Sequence, residues 1–286
     1  MTLTRQSIAL VQRVFGENKV GTADGIPGSK TRGIIKEFQT MRNVPVTGVL
    51  DGLQFKAVTG CPVDAAGDPD YALYLYEKFG LGGNCAAHRA PGVPGRFVPQ
   101  GVMIHHTGAW DGDEDPSNDR QRLPADRMIN GRRGLSGPIT QFGVSRDLTV
   151  DVFTNGRAHH AGRGSMAVLK AVMNDDELPH HPGKDDTHGN THFLGVEVDH
   201  CGKDLESLGA NWKTAVRLTA ALCHLWRWQP VTRVLGHSEW TLRKTDPIYP
   251  MGTFLGEVEA ILHPKQRLPS GNYAVVNGRR YRLTEE

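Results

Sequence analysis

"FLGVEVDH", residues 193–200, sets Glu197 inside an otherwise apolar run. Phe193, Leu194, Val196 and Val198 fall on both parities of the stretch, which predicts a strand covered on both faces by helices. A carboxylate in the middle of such a strand is costly unless something compensates it, so Glu197 is read as part of a site. By alternation Asp199 shares its face, and a plain salt bridge at one of the two carboxylates stays open.

Working outward, four further stretches read as strands: "GVMIH" (101–105), "TQFGVS" (140–145), "TVDVFT" (149–154) and "TRVLG" (232–236). Between and after them lie two helices. "NWKTAVRLTAALCHLWRW" (211–228) carries a wide apolar stripe through Val216, Leu218, Leu222, Leu225 and Trp226, and "GTFLGEVEAIL" (252–262) supplies the second. Hairpin-linked and helix-linked strands together predict an α/β fold, a mixed central β-sheet flanked by helices. In the tail "NYAVVNGRRYRL" (272–283), Asn277-Gly278 between alternating strands signals a hairpin.

The first sixty residues differ in character. Ile8, Val11 and Phe15 share a helical face that Gly16 ends; Ser29 is placed to cap a helix holding Ile34, Ile35 and Phe38; Asp51 is placed to cap a third. The expected organisation is a small three-helix domain over 1–60 and a linker over 61–97, rich in Gly, Pro and Ala, with one helical piece at "DYALYLYEKFG" (70–80). The main domain then spans 98–263, and a C-terminal β-hairpin extension 264–286. A length of 286 residues suits one large domain plus a small one.

Bulk properties narrow the partners. A formal charge of +2 gives no support to a nucleic-acid partner. No apolar run approaches the ~18 residues of a membrane span, and "MTLTRQSIALVQRVF" (1–15) lacks the basic start and apolar stretch of a signal peptide. Cys61, Cys85, Cys201 and Cys223 show no CxxC spacing; Cys61 and Cys85 are the two that could pair in an oxidising compartment. Thirteen histidines, several in adjacent pairs, turn attention to metal chemistry.

"GHSEWTLRKTDP" (236–247) places His237, Lys244 and Asp246 just after an apolar strand. A catalytic zinc takes three protein ligands and an open position. "VMIHHT" (102–107) can supply the third, delivering His105 and His106 at a strand end. Such a site lowers the pKa of a water towards ~7 and needs a proton relay and an oxyanion stabiliser beside it. Glu197 and Lys244 are the candidates for those two roles.

Two resemblances follow from these residues. "ADGIPGSKTRGIIKEFQ" (23–39) with "VPVTGVLD" (44–51) resembles the peptidoglycan-binding repeat of cell-wall hydrolases, on Asp24, Gly25, Gly28, Thr31, Phe38 and Gln39. "VMIHHT", "FGVSRDLTVDVFTNGRAHHAG" (142–162), "FLGVEVDH" and "GHSEWTLRKTDP", in that order, resemble the zinc-dependent N-acetylmuramoyl-L-alanine amidases, a superfamily that includes animal peptidoglycan-recognition proteins. The resemblance implies Zn²⁺ held by His105, His237 and Asp246, with His160 of "HAG" lining the substrate cleft and His106 also beside substrate. Some members use a tyrosine where this chain has Thr140; others use a glutamate in the "GVE" strand, which points here to Glu197. Leu148 stands where most relatives have a turn glycine.

The expected activity is cleavage of the amide between N-acetylmuramic acid and the L-alanine of the stem peptide. A wall-binding unit joined to such an enzyme resembles a bacteriophage endolysin, a monomer resident in the host cytoplasm until lysis and then acting on bacterial peptidoglycan at the cell wall. A zinc peptidase of the wall peptide, a non-catalytic recognition protein and a bacterial autolysin with the same chemistry are the competing readings.

Overall fold

The protein is described from a computed structural model covering residues 2–81, 85–108, 122–203, 205 and 209–264, and the backbone of 273–276 and 279–282. The chain begins with α1 (Arg5–Phe15), α2 (Glu17–Val20), α3 (Ser29–Met41), α4 (Gly52–Thr59) and α5 (Tyr71–Phe79). It continues through β1 (Cys85–Ala87), β2 (Gly101–His106), α6 (Ala125–Asn130), β3 (Gly131–Arg132), β4 (Leu135–Ser136), β5 (Phe142–Val144), β6 (Val150–Val152), β7 (Arg163–Gly164), α7 (Met166–Asn174) and β8 (Thr187–His188). Then come β9 (Phe193–Val198), α8 (Asn211–Trp226), α9 (Pro230–Arg233), β10 (Val234–Gly236), α10 (His237–Trp240) and α11 (Met251–Leu262). β11 (Tyr273–Val276) and β12 (Arg279–Arg282) pair antiparallel; the Asn277-Gly278 turn expected between them lies outside the described residues.

Six strands form one sheet in the order β1-β6-β5-β9-β2-β10. All neighbours are parallel except β5 and β6, so the sheet is mixed. Alternation divides its side chains between two apolar layers. Val102, Ile104, Leu194, Val196, Val198 and Val234 pack with α8, through Ala215, Leu218 and Leu222. Met103, Phe193 and Leu235 face the other way, onto Val168, Leu169 and Val172 of α7 and onto Trp240. Each fully buried Leu, Val or Phe contributes roughly 1.5–3 kcal/mol relative to exposure. No helix among the described residues is long and apolar enough to cross a membrane.

In the N-terminal helices two buried glutamines hold the loops. The Gln12 amide donates to Ile26 O and accepts from Gly25 N–H; the Gln39 amide donates to Val49 O and accepts from Thr47 and Gly48 N–H. Gly25 has φ +73°, and a Cβ there would come within 2.3 Å of Arg5 O, so the Asp24-Gly25 turn requires glycine. Asp51 accepts from Gln54 N–H and caps α4 as expected. Ser29 is not a cap: α3 starts at Ser29 itself, after Gly28, which has no side chain to offer.

Residues 61–97, read from composition as a linker, hold α5 and the edge strand β1. Tyr71, Tyr74 and Leu75 are buried in the same apolar cluster as Leu10 of α1 and Trp226 of α8. Cys61 and Cys85 are both free thiols.

Candidate active site

Three loop-or-strand ends converge on the α7 side of the sheet. β2 and β9 pair in parallel with His105 opposite Glu197. β10 flanks β2 on its other side, so the residue after Gly236 emerges beside His105. That residue is His237, at the start of α10, where the Glu239 carboxylate accepts from Gly236 N–H and fixes the turn. The chain then loops back, and Ser238 N–H donates to Asp246 O at 2.8 Å.

His105 Nδ1, His237 Nδ1 and Asp246 Oδ2 form a triangle with sides of 3.0, 3.0 and 3.2 Å. Among the described residues this is the one group of three or more His, Cys, Asp or Glu side chains so arranged. Both imidazoles are buried. The opposite ring nitrogens are held from behind. His237 Nε2 lies 3.2 Å from Ala161 O, which can only accept, so this nitrogen carries a proton. His160 Nε2 likewise faces Phe193 O at 2.9 Å, and His160 Nδ1 lies 3.0 Å from His105 Nε2.

These contacts settle the protons on His105. Burial, reinforced by His105 nearby, pushes the His160 pKa well below its ordinary value, so its single proton sits on Nε2 and its Nδ1 accepts. His105 must then donate from Nε2. Burial also lowers its own pKa, to about 4, against the opposing pull of Asp246, so it is neutral and its Nδ1 presents a lone pair. The Nδ1 atoms of two buried imidazoles and a carboxylate oxygen thus face one another, and a cation between them would satisfy all three. The fit to zinc is close: bonds of about 2.0–2.1 Å in a tetrahedral site put neighbouring ligand atoms about 3.3 Å apart.

Glu197 lies on the same face. Its Oε2 is buried with no hydrogen-bond partner among the described residues. Burial, with Asp246 adding to it, pushes its pKa up to about 8 against the opposing Lys244 and Arg132 charges. Lys244 is exposed two residues before Asp246 and within electrostatic reach of both His105 and Glu197. Asp199 is instead paired with Arg146, at 3.7 Å. Thr140 is fully buried and donates to Gly195 O at 3.0 Å, which commits its hydroxyl to the backbone.

The remaining two expected residues are His160 and His106. His160 stands directly behind His105. His106, the next residue along β2, points to the opposite face, where its Nδ1 accepts from Ile248 N–H at 3.1 Å. Sequence reasoning missed the backing carbonyls of Ala161 and Phe193, the proximity of Arg132, and the reason for Gly195. A Cβ on Gly195 would come within 2.6 Å of the His160 ring, so glycine is what lets that ring lie against β9. A glycine inside an apolar strand was the available signal.

The profile of the N-acetylmuramoyl-L-alanine amidase family matches residues 95–249, and that of a peptidoglycan binding domain matches residues 4–58. No curated protein matches the chain. Among solved structures, the endolysin N-acetylmuramoyl-L-alanine amidase LysCS from Clostridium intestinale is 16% identical, with 61% of this chain and 95% of that one covered and a TM-score of 0.38. The hydrolase AmiA of Staphylococcus aureus is 15% identical, covering 63% of this chain and 85% of its own, with a TM-score of 0.40. Since the amidase profile spans more than half of the sequence, this chain belongs to the N-acetylmuramoyl-L-alanine amidase family and carries a peptidoglycan binding domain ahead of the amidase segment.

Proposed function

We propose that the chain is a zinc-dependent amidase that cleaves between the lactyl group of N-acetylmuramic acid and the L-alanine of the stem peptide, with His105, His237 and Asp246 as the metal ligands. One observation carries the metal: buried His105 Nδ1 and His237 Nδ1 and Asp246 Oδ2 form a triangle with sides of 3.0, 3.0 and 3.2 Å. A proton could bridge two of these atoms; a metal ion satisfies all three at once. Two histidines and a carboxylate are a donor set that suits zinc.

Zinc held there would polarise the scissile carbonyl and acidify a water. The chain's own residues supply the rest. Glu197 accepts the proton that the water loses as its oxygen bonds to the carbonyl carbon. It returns that proton to the alanine nitrogen as the C–N bond breaks, leaving a carboxylic acid and a free amine. Burial is the main cause of the raised Glu197 pKa and the Asp246 charge the second; a metal held by Asp246 would offset that second contribution and favour Glu197 as a base. Lys244 donates to the oxygen on which negative charge develops. The pairing of a wall-binding domain with an amidase supports a phage endolysin, a monomer held in the host cytoplasm until lysis delivers it to the wall.

The test is end-group analysis of purified peptidoglycan digested with and without a zinc chelator, followed by zinc add-back. The expected result is new N-terminal alanine without new reducing sugar ends, abolished by chelator and restored by zinc. A different new N-terminus would make the protein a wall peptidase. Zinc bound without cleavage on several wall types would make it a recognition protein.

A further inference from the structure

The geometry points to His106 as a positioning residue that holds the third metal ligand, Asp246, in place. This inference rests on the zinc reading above and adds a role for a side chain that never meets the metal.

β2 sends consecutive side chains to opposite faces, so His105 enters the ligand triangle while His106 turns towards the α8 side. There its Nδ1 accepts the N–H of Ile248 at 3.1 Å. Ile248 follows Pro247, which has no N–H, so this is the first backbone donor after Asp246. Asp246 is also held directly, its own carbonyl accepting Ser238 N–H at 2.8 Å. The ligand arm is therefore tied twice, once to α10 beside His237 and once to β2 beside His105.

His106 is itself confined. A Cβ on Gly202 would come within 2.4 Å of its Nε2, so glycine leaves the room in which the ring lies. His200 packs edge-on to it with ring centres 6.1 Å apart. Pro247 is likewise seated on the backbone, its Cδ 2.7 Å from where a Cβ on Gly236 would be. One step along β2 thus links the first ligand to the third. Residues that orient ligands in this way typically change metal affinity by about 10–100-fold when replaced.

The experiment measures the zinc dissociation constant by competition with a chromophoric chelator, for the full chain and three variants. His106→Asn places an amide oxygen near the Nδ1 position and keeps an acceptor for Ile248 N–H. His106→Gln places its oxygen near Nε2 and does not; His106→Leu has no acceptor at all. The expected result is zinc binding about 10–100-fold weaker in His106→Leu and His106→Gln, with His106→Asn within a few-fold of the parent. KM on a soluble muropeptide, measured at saturating zinc, stays at the parent value in His106→Asn and His106→Gln. Unchanged zinc affinity in His106→Gln would overturn the inference, as would equal losses in Asn and Gln. A raised KM with unchanged zinc affinity would return His106 to substrate contact. The Asn–Gln comparison stands even if His106→Leu does not fold. A parent chain that binds no zinc would remove the metal reading itself, a result distinct from all of these.

Discussion

Replacing Glu197 by glutamine keeps the side chain's shape and removes its ability to exchange a proton. The expected outcome is a fall in kcat of roughly 10²–10⁴-fold, with zinc stoichiometry and affinity close to the parent's, checked by turnover and metal analysis on the same preparation. Loss of zinc together with activity would show that Glu197 supports the ligands instead. At this scale the sequence was informative wherever one residue contradicted its surroundings. Glu197 stands out because it is charged in an apolar strand. His160 carried no such mark. Its contact with His105 crosses 55 residues and depends on β9 passing beneath its ring, which no local pattern encodes. The choice of His105 over His106 as ligand came from the family resemblance and from no local pattern, since the two differ only in the parity of the strand that carries them.

At the scale of the element, the start of α1 shows how the N-terminal helices are tied to the rest. Thr4 caps the helix by accepting from Ser7 N–H, and its hydroxyl donates to Asp68. Ser7 donates to Gly67 O at 2.6 Å. Burial raises the Asp68 pKa from 3.8 to about 6, opposed by the Thr4 hydrogen bond and helped by the neighbouring Asp64. In the unfolded chain this carboxyl ionises near its ordinary value, so between these two pH values the native state holds more protons. Stability from this group is therefore highest at low pH and falls as pH rises through about 6, by up to roughly 3 kcal/mol in all. Asp68→Asn keeps an acceptor for Thr4 without the titration. Urea denaturation should find the variant more stable than the parent at pH 8, with the advantage gone near pH 4; a constant difference across that range would refute the assignment. None of this was legible in a stretch whose Gly, Pro and Ala content reads as loose connection. Composition averages over the few residues that matter there, and Tyr71, Tyr74 and Leu75 are buried despite their neighbours.

For the whole molecule the question is whether two modules or one unit unfolds. A continuous apolar cluster runs from Leu10 and Phe55 through Tyr71 and Tyr74 to Leu222, Trp226 and the inner face of the sheet. Arg13 of α1 donates to the Gln100 side chain at 3.2 Å, at the root of the strand that delivers His105. Such shared packing makes the helical unit and the amidase segment cooperative. The chain offers a clean probe of this, because all five tryptophans lie beyond residue 100 and none falls in the first sixty. Leu10→Ala deletes buried volume in α1, far in sequence from every tryptophan, and should cost about 2–5 kcal/mol. The tryptophan fluorescence transition in urea should shift to lower denaturant by the full amount, as a single step coincident with the far-ultraviolet circular dichroism transition. Saturating zinc should move both curves up together, since a ligand of the native state stabilises everything that unfolds with its site. If the fluorescence curve stays in place while circular dichroism alone loses an early step, the N-terminal helices fold apart from the catalytic sheet. The wall-binding unit would then be a mobile tether. If the curves move together, it is a fixed extension of the sheet, and the distance between the wall contact and the cleaved bond is set by the fold.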